Sequence, residues 1–184
     1  MAQVESVDRQ FGEVSVPVLV VMAGLPGAGK STMAEIIAGR LSATIVSVDP
    51  IEVSILRAGI DADQPTGLAA YLVAETMAEQ VLLAGHSVVV DAVNAVEPAR
   101  LQWRDLAART DVKLRVVEVM CSDEELHRAR LAKRQPPIAA YAVEQSVDEY
   151  TEWKGAGATM PRITLDTSRP LGENVETALA FLES

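Results

Sequence analysis

Cysteine is nearly missing from this sequence: Cys121 is the only one in 184 residues. An internal disulfide is therefore excluded, which fits a reducing compartment and makes the cytoplasm the expected location. The two histidines, His86 and His127, have no Cys or His cluster around them, which argues against structural zinc. No apolar run is long enough to span a bilayer, because Gly, Pro or charged residues interrupt each one. The N-terminus carries Glu5 and Asp8 before its first basic residue, Arg9, so the positive region of a signal peptide is lacking too. Positive charge is short overall: 16 Lys and Arg face 26 Asp and Glu, a net charge of −10. Such a chain repels polyanions at long range, so nucleic acid and acidic membrane surfaces are disfavoured as partners.

What remains is the composition of one ordinary globular domain, with 49% hydrophobic and 23% charged residues, so disorder is not a candidate. Residues 1 to about 15 are mixed and polar with no sustained period and read as a frayed leader. The domain is expected to run from 16 to 184.

The densest chemical signal is Gly24-Leu25-Pro26-Gly27-Ala28-Gly29-Lys30-Ser31-Thr32. It matches G-x-x-x-x-G-K-[ST], the phosphate-binding P-loop. The run Val18-Leu19-Val20-Val21-Met22-Ala23 before it reads as a strand buried on both faces, and Met33, Ile36, Ile37 and Leu41 after it fall at helical spacing. Glycines at 24, 27 and 29 allow successive N–H groups to turn inward around an anion, and the helix opening near Lys30 adds its positive end. Gly24, Gly27, Ala28, Gly29, Lys30, Ser31 and Thr32 are thus the expected nucleotide-binding residues. Lys30 would reach the β- and γ-phosphates and the Ser31 hydroxyl would bind Mg²⁺.

Elements alternate along the rest of the chain. Thr44 to Val48 reads as a strand stopped by Asp49-Pro50; Pro50 disfavours helix at Asp49, leaving that carboxylate at the strand's end. A short helix is expected over 51–60, then a loop over 61–67 rich in turn formers, then a longer helix stopped near Gly85. Val88-Val89-Val90-Asp91 is a third strand, again ending in Asp. Pro98 opens the next helix, with Leu101, Trp103, Leu106 and Ala107 on it, and a fourth strand covers 112–120. Ser122-Asp123-Glu124-Glu125 matches a capping box and starts a helix that Pro136-Pro137 ends. A helical stretch over about 142–153, a flexible break at 155–158, a strand at 163–165 and a last helix complete the reading. Alternation of this kind implies an α/β fold with a mainly parallel sheet covered on both faces.

With its P-loop, two strand-end aspartates and an arginine-bearing helix, the sequence resembles the small P-loop kinases. That group holds the polynucleotide-kinase-like ATPases, gluconate kinase, shikimate kinase and adenylate kinase. The motifs that carry the resemblance are Gly24 to Thr32, Ser47-Val48-Asp49, Val88 to Asn94, Arg130-Leu131-Ala132-Lys133-Arg134 and Leu165-Asp166-Thr167-Ser168. The resemblance implies a three-layer P-loop NTPase fold, five strands in order 2-3-1-4-5 and a small helical lid over about 123–158. It implies ATP and Mg²⁺ as cofactors. Asp49 would hold the attacking hydroxyl, its alternative role being to cap the following helix. Asp91 would face Mg²⁺, Asn94 would border the acceptor, Arg130 and Arg134 would close over the triphosphate, and Thr167 would border adenine.

Residue 92 is Ala, so the Asp-Glu pair of motor-type ATPases is absent, which favours transfer over hydrolysis. Glu52 stands where polynucleotide kinases carry a phosphate-binding arginine. The expected activity is transfer of the ATP γ-phosphate to a hydroxyl of a small molecule. A polynucleotide 5′-hydroxyl kinase and a nucleotide-dependent switch without acceptor are the alternatives.

Overall fold

A computed structural model describes residues 16–133 and 150–184. In chain order the elements are β1 (Val18–Ala23), α1 (Lys30–Leu41), β2 (Thr44–Ser47), α2 (Val48–Arg57), α3 (Thr66–Leu83) and β3 (Val88–Asp91). They continue with α4 (Glu97–Thr110), β4 (Lys113–Met120), α5 (Glu124–Lys133), a 3₁₀ turn (Gly157–Thr159), β5 (Arg162–Asp166) and α6 (Leu171–Glu183). The five strands form one sheet in the order β2-β3-β1-β4-β5, every pair parallel. This is the P-loop NTPase arrangement implied by the resemblance.

The P-loop strand therefore lies in the middle, with Leu19 opposite Val88 on one side and Leu114 on the other. Its apolar run has no polar alternation because both of its faces are covered. Leu19, Val21 and Ala23 join a core with Ala70, Ala74, Ala78, Trp103 and Leu106 of α3 and α4. Val20 and Met22 point the other way, into Met33, Ala34 and Ile37 of α1 and Ala178 of α6. Alanines four apart on α3 present no long side chain, so that helix can lie close to the sheet.

α3 stops as its glycine suggests. Gly85 has φ +85°, its N–H bonds the carbonyl of Leu82, and the N–H of His86 reaches Val81. That pair of bonds is a Schellman ending.

Three local expectations need correction. Asp49 is not an extended strand-end residue: α2 begins at Val48 with Ser47 as its N-cap, so Asp49 lies inside the first turn. Pro50 is tolerated there because first-turn N–H groups have no helical acceptor to lose. The capping box is displaced by one residue: Asp123 Oδ1 accepts the N–H of Leu126 at 2.9 Å, while Ser122 is bonded to Asp166. Residues 150–153 are not helical. The central part of the expected lid, with Arg134 and Pro136-Pro137, lies outside the described residues, as does the leader.

Candidate active site

The P-loop is threaded through a gap that only glycine fits. Gly24 has φ +130°, its N–H donates to the carbonyl of Val93 at 3.1 Å, and an added Cβ would stand 2.0 Å from the carbonyl oxygen of Val119. Gly27 (φ +78°) lies under Leu131 and His127 of α5, and Gly29 (φ +100°) is the N-cap of α1, packed on the methyl of Thr167. Lys30 follows as the first helical residue, almost buried, with Nζ 3.1 Å from the carbonyl of Leu25. The N–H of Ala28 is directed at that same Leu25 carbonyl, at 3.2 Å, so this one loop amide is engaged within the loop. Ser31 and Thr32 are exposed.

Two open clefts meet at this loop. One, of about 230 Å³, is bordered by Gly27, Gly29, Lys30, Ser31, Thr32, Asp49, Asp91 and Arg130, among others. The aspartate in the first turn of α2 and the one that ends β3 thus face the same space as the phosphate-binding loop. Parallel pairing of β2 with β3, which sets Ser47 opposite Asp91, is what brings them together. The second cleft, of about 470 Å³, is lined by Met33, Thr167, Arg169, Leu171 and Asn174 and shares Gly29, Thr32 and Arg130 with the first. A ligand with phosphates in one and a planar organic group in the other would pass over Gly29.

Thr167 ties the larger cleft to the P-loop and to α5. Its hydroxyl oxygen lies 2.7 Å from the Ala28 carbonyl and 3.1 Å from that of Met120, and accepts from Arg130 at 2.7 Å. Arg130 also donates to the Thr167 carbonyl at 3.2 Å. Beside it, the Asp166 carboxylate accepts the N–H groups of Ser122 and Ser168, both at 3.0 Å, and the Ser122 hydroxyl. These donors hold its pKa far below the usual 3.8.

Asn94, expected beside the acceptor, turns inward and lines neither cleft. It is fully buried with φ +51°, a backbone region that Asn tolerates better than most residues. Nδ2 donates to the Met22 carbonyl (2.7 Å), Oδ1 accepts Trp103 Nε1 (2.8 Å), its N–H donates to the Tyr71 hydroxyl (3.0 Å), and its carbonyl accepts Arg100 Nε (2.8 Å). Burial, with Asp49 and Glu52 nearby, pushes the Tyr71 hydroxyl up to about 12, so it stays protonated. Tyr150 and Trp153 likewise turn to protein. Both donate to Glu118 Oε1, at 2.6 and 2.8 Å, while Oε2 accepts Arg162 and Thr164. The Arg100 guanidinium stacks 4.1 Å from the Trp153 ring and donates to the carbonyls of Ala95 and Thr151, fastening residues 150–153 to the loop after β3.

His127, which the sequence marks only as lacking a metal cluster, contacts the P-loop. Its Nε2 stands 2.7 Å from the carbonyl of Pro26; a carbonyl only accepts, so Nε2 carries the proton. The available signal was its position three residues before Arg130, which puts both on one helix face. Asn174, Glu118 and Arg100 were overlooked, and no short spacing marks them.

Residues 19–154 match the model of the AAA domain family. The chain belongs to that family. No curated protein matches it in sequence. Among solved structures, it is similar to a sugar kinase from Janibacter sp. HTCC2649 at 18% identity and a TM-score of 0.67, over 92% of this chain and 95% of that one. It is similar to the APS kinase CysC of Mycobacterium tuberculosis, in complex with AMPPNP and APS, at 21% identity and a TM-score of 0.66, over 91% and 98%. A third likeness is to Chaetomium thermophilum Kti12 in complex with ADP-AlF3, at 18% identity and a TM-score of 0.67, over 88% and 97%. At such identities the likeness establishes the fold of this AAA domain, which is that of the small P-loop kinases. Among the described residues no helix is long and apolar enough to cross a membrane.

Proposed function

We propose that this AAA domain is a kinase that moves the γ-phosphate of ATP to a hydroxyl of a small molecule. One observation supports this above the others: Asp49 stands across a single cleft from the P-loop, with Asp91 and Arg130 on its walls. A nucleotide switch needs the loop and a group to orient water, whereas a kinase depends on a carboxylate placed to hold the acceptor's O–H. The kinase names of the structural neighbours agree with this reading.

The hydroxyl oxygen attacks the γ-phosphorus, the bond from that phosphorus to the β,γ-bridging oxygen breaks, and ADP leaves with the bonding electrons. Asp49 accepts the hydrogen bond of the attacking hydroxyl and takes its proton. The loop N–H groups and Lys30 hold the phosphates, and Arg130 releases Thr167 in part to meet charge on the transferring group. The Ser31 hydroxyl and the Asp91 carboxylate, both hard oxygen donors on the same cleft, would hold magnesium. When bound it neutralises charge on the phosphate oxygens.

Glu52 bears on the acceptor. Its carboxylate accepts the Thr66 hydroxyl at 2.8 Å, one turn along α2 from Asp49. With Asp49 and Glu52 on this helix and a net charge of −10, a polynucleotide end would meet unfavourable charge, which favours a small-molecule acceptor. A nucleotide-dependent switch or ATPase without acceptor is the second reading, since the P-loop would serve it equally.

The test is transfer of γ-labelled phosphate from Mg-ATP, offered a metabolite extract, a 5′-hydroxyl oligonucleotide or neither. Label on a small extract component is expected. In Asp49→Asn it should fall by at least about 100-fold while ATP affinity holds. Label on the oligonucleotide alone, or free phosphate unaffected by either addition, would overturn the proposal in favour of its alternatives.

A further inference from the structure

The larger cleft ends on a side chain whose hydrogen-bonding capacity is half used. Asn174, in α6, is 5% exposed. Its Nδ2 donates to the backbone carbonyl of Asp166 at 2.9 Å, and because that carbonyl can only accept, the contact fixes which end of the amide faces it. No described residue donates to Oδ1, and the oxygen is not sealed away, since Asn174 lines the cleft and is not among the buried unsatisfied groups. A nearly buried acceptor without a protein donor waits for one from a ligand or water.

The surroundings define that ligand's shape. Met33 and Leu171 offer apolar surface, and Arg169 adds a guanidinium group to the same cleft. Guanidinium planes and apolar flanks suit a flat heteroaromatic ring. The passage over Gly29 and Thr32 to the phosphate cleft makes that ring the base of a nucleotide.

We propose that Asn174 Oδ1 accepts a hydrogen bond from the exocyclic 6-amino group of adenine and selects 6-aminopurine over 6-oxopurine nucleotides. A 6-oxo base would set one acceptor against another, and Nδ2, committed to Asp166, has no freedom to turn and donate. This assignment rests on the nucleotide-binding part of the proposed function.

The experiment is equilibrium binding of ATP, GTP and purine riboside 5′-triphosphate to the full chain; the last has the adenine ring without its amino group. One hydrogen bond to an almost buried acceptor predicts ATP about tenfold tighter than either. In Asn174→Leu the ratio of ATP to purine riboside triphosphate should collapse to about one. Loss of the tie to Asp166 would weaken both nucleotides alike, so the ratio isolates the amino group. A wild-type ratio near one, a preference for GTP, or a ratio that survives in Asn174→Leu would overturn the assignment and leave the kinase reading intact. Failure of all three triphosphates to bind would overturn both. The wild-type ratio needs no variant, so the assignment stays testable if Asn174→Leu does not fold.

Discussion

Two loops press on the P-loop from opposite sides, and they are built differently. The loop after β3 meets it through the Val93 carbonyl, which accepts the N–H of Gly24. It is held from beneath by Asn94, Arg100 and Trp103, all buried. The loop after β5 meets it through the Thr167 hydroxyl on Ala28, and most of its side-chain bonds, those among Asp166, Ser122 and Ser168, lie at the surface. Buried polar networks are costly to break because their members have no water to turn to, whereas exposed ones exchange protein partners for solvent at little loss. The β3 side is therefore a fixed wall. The β5 side is an adjustable one, whose bonds can be re-made around a ligand.

The sharpest way to break this contrast is Asn94→Leu. It strands Trp103 Nε1 and the Met22 carbonyl without partners and forces Leu into a positive φ. A loss of about 4 kcal/mol is expected, read from the urea midpoint at constant slope. A loss below about 1 kcal/mol would mean that the network does not define this wall. Thr167→Val comes next. The shape is kept and the hydroxyl removed, so stability should change by less than about 1 kcal/mol while ATP affinity falls roughly tenfold. Equal effects of the two variants on stability would abolish the distinction.

The smallest effect is expected at Asp166. Its donors keep the folded-state pKa below the ordinary 3.8, so its stabilisation is fully present above that value and fades as pH falls toward the folded one. The difference in urea midpoint between the wild type and Asp166→Ala should be flat from pH 5 to 7 and shrink only below about pH 4. A difference that already declines at pH 6 would assign the effect to another group.

Much of this was legible in order along the chain, and what escaped shares a cause. The P-loop is a run of nine consecutive residues whose conformation is set by its own glycines, so its text and its geometry coincide. The strand ends that supply Asp91 and the helix stop at Gly85 are local in the same sense. Strand order came from resemblance, since periodicity says which residues face a core and not which strands are neighbours. Asp49 faces the cleft of the P-loop, but from a helix and not from a strand end, because two rules about Pro50 compete and the first turn of a helix satisfies both. Ser122 carried a capping pattern, yet Asp166, 44 residues on, took it and left Asp123 to cap. Asn94 reads like any loop residue until Met22, 72 positions earlier, is seen to need its amide. Asn174, Arg100 and Glu118 are of this kind, defined by partners that only folding brings near.

The place of β1 in the sheet has a consequence for motion. Its amides are paired to β3 and β4 on either side, and Leu19 to Ala23 are between 0% and 2% exposed. No edge is available from which such a strand can peel, so its N–H groups should exchange with solvent only when the whole domain opens. Phosphate binding is thus mounted on the slowest-exchanging part of the chain. Partial openings that release α5 or the loop after β5 would leave the anion cradle standing, and ligand capture can precede the ordering of everything around it.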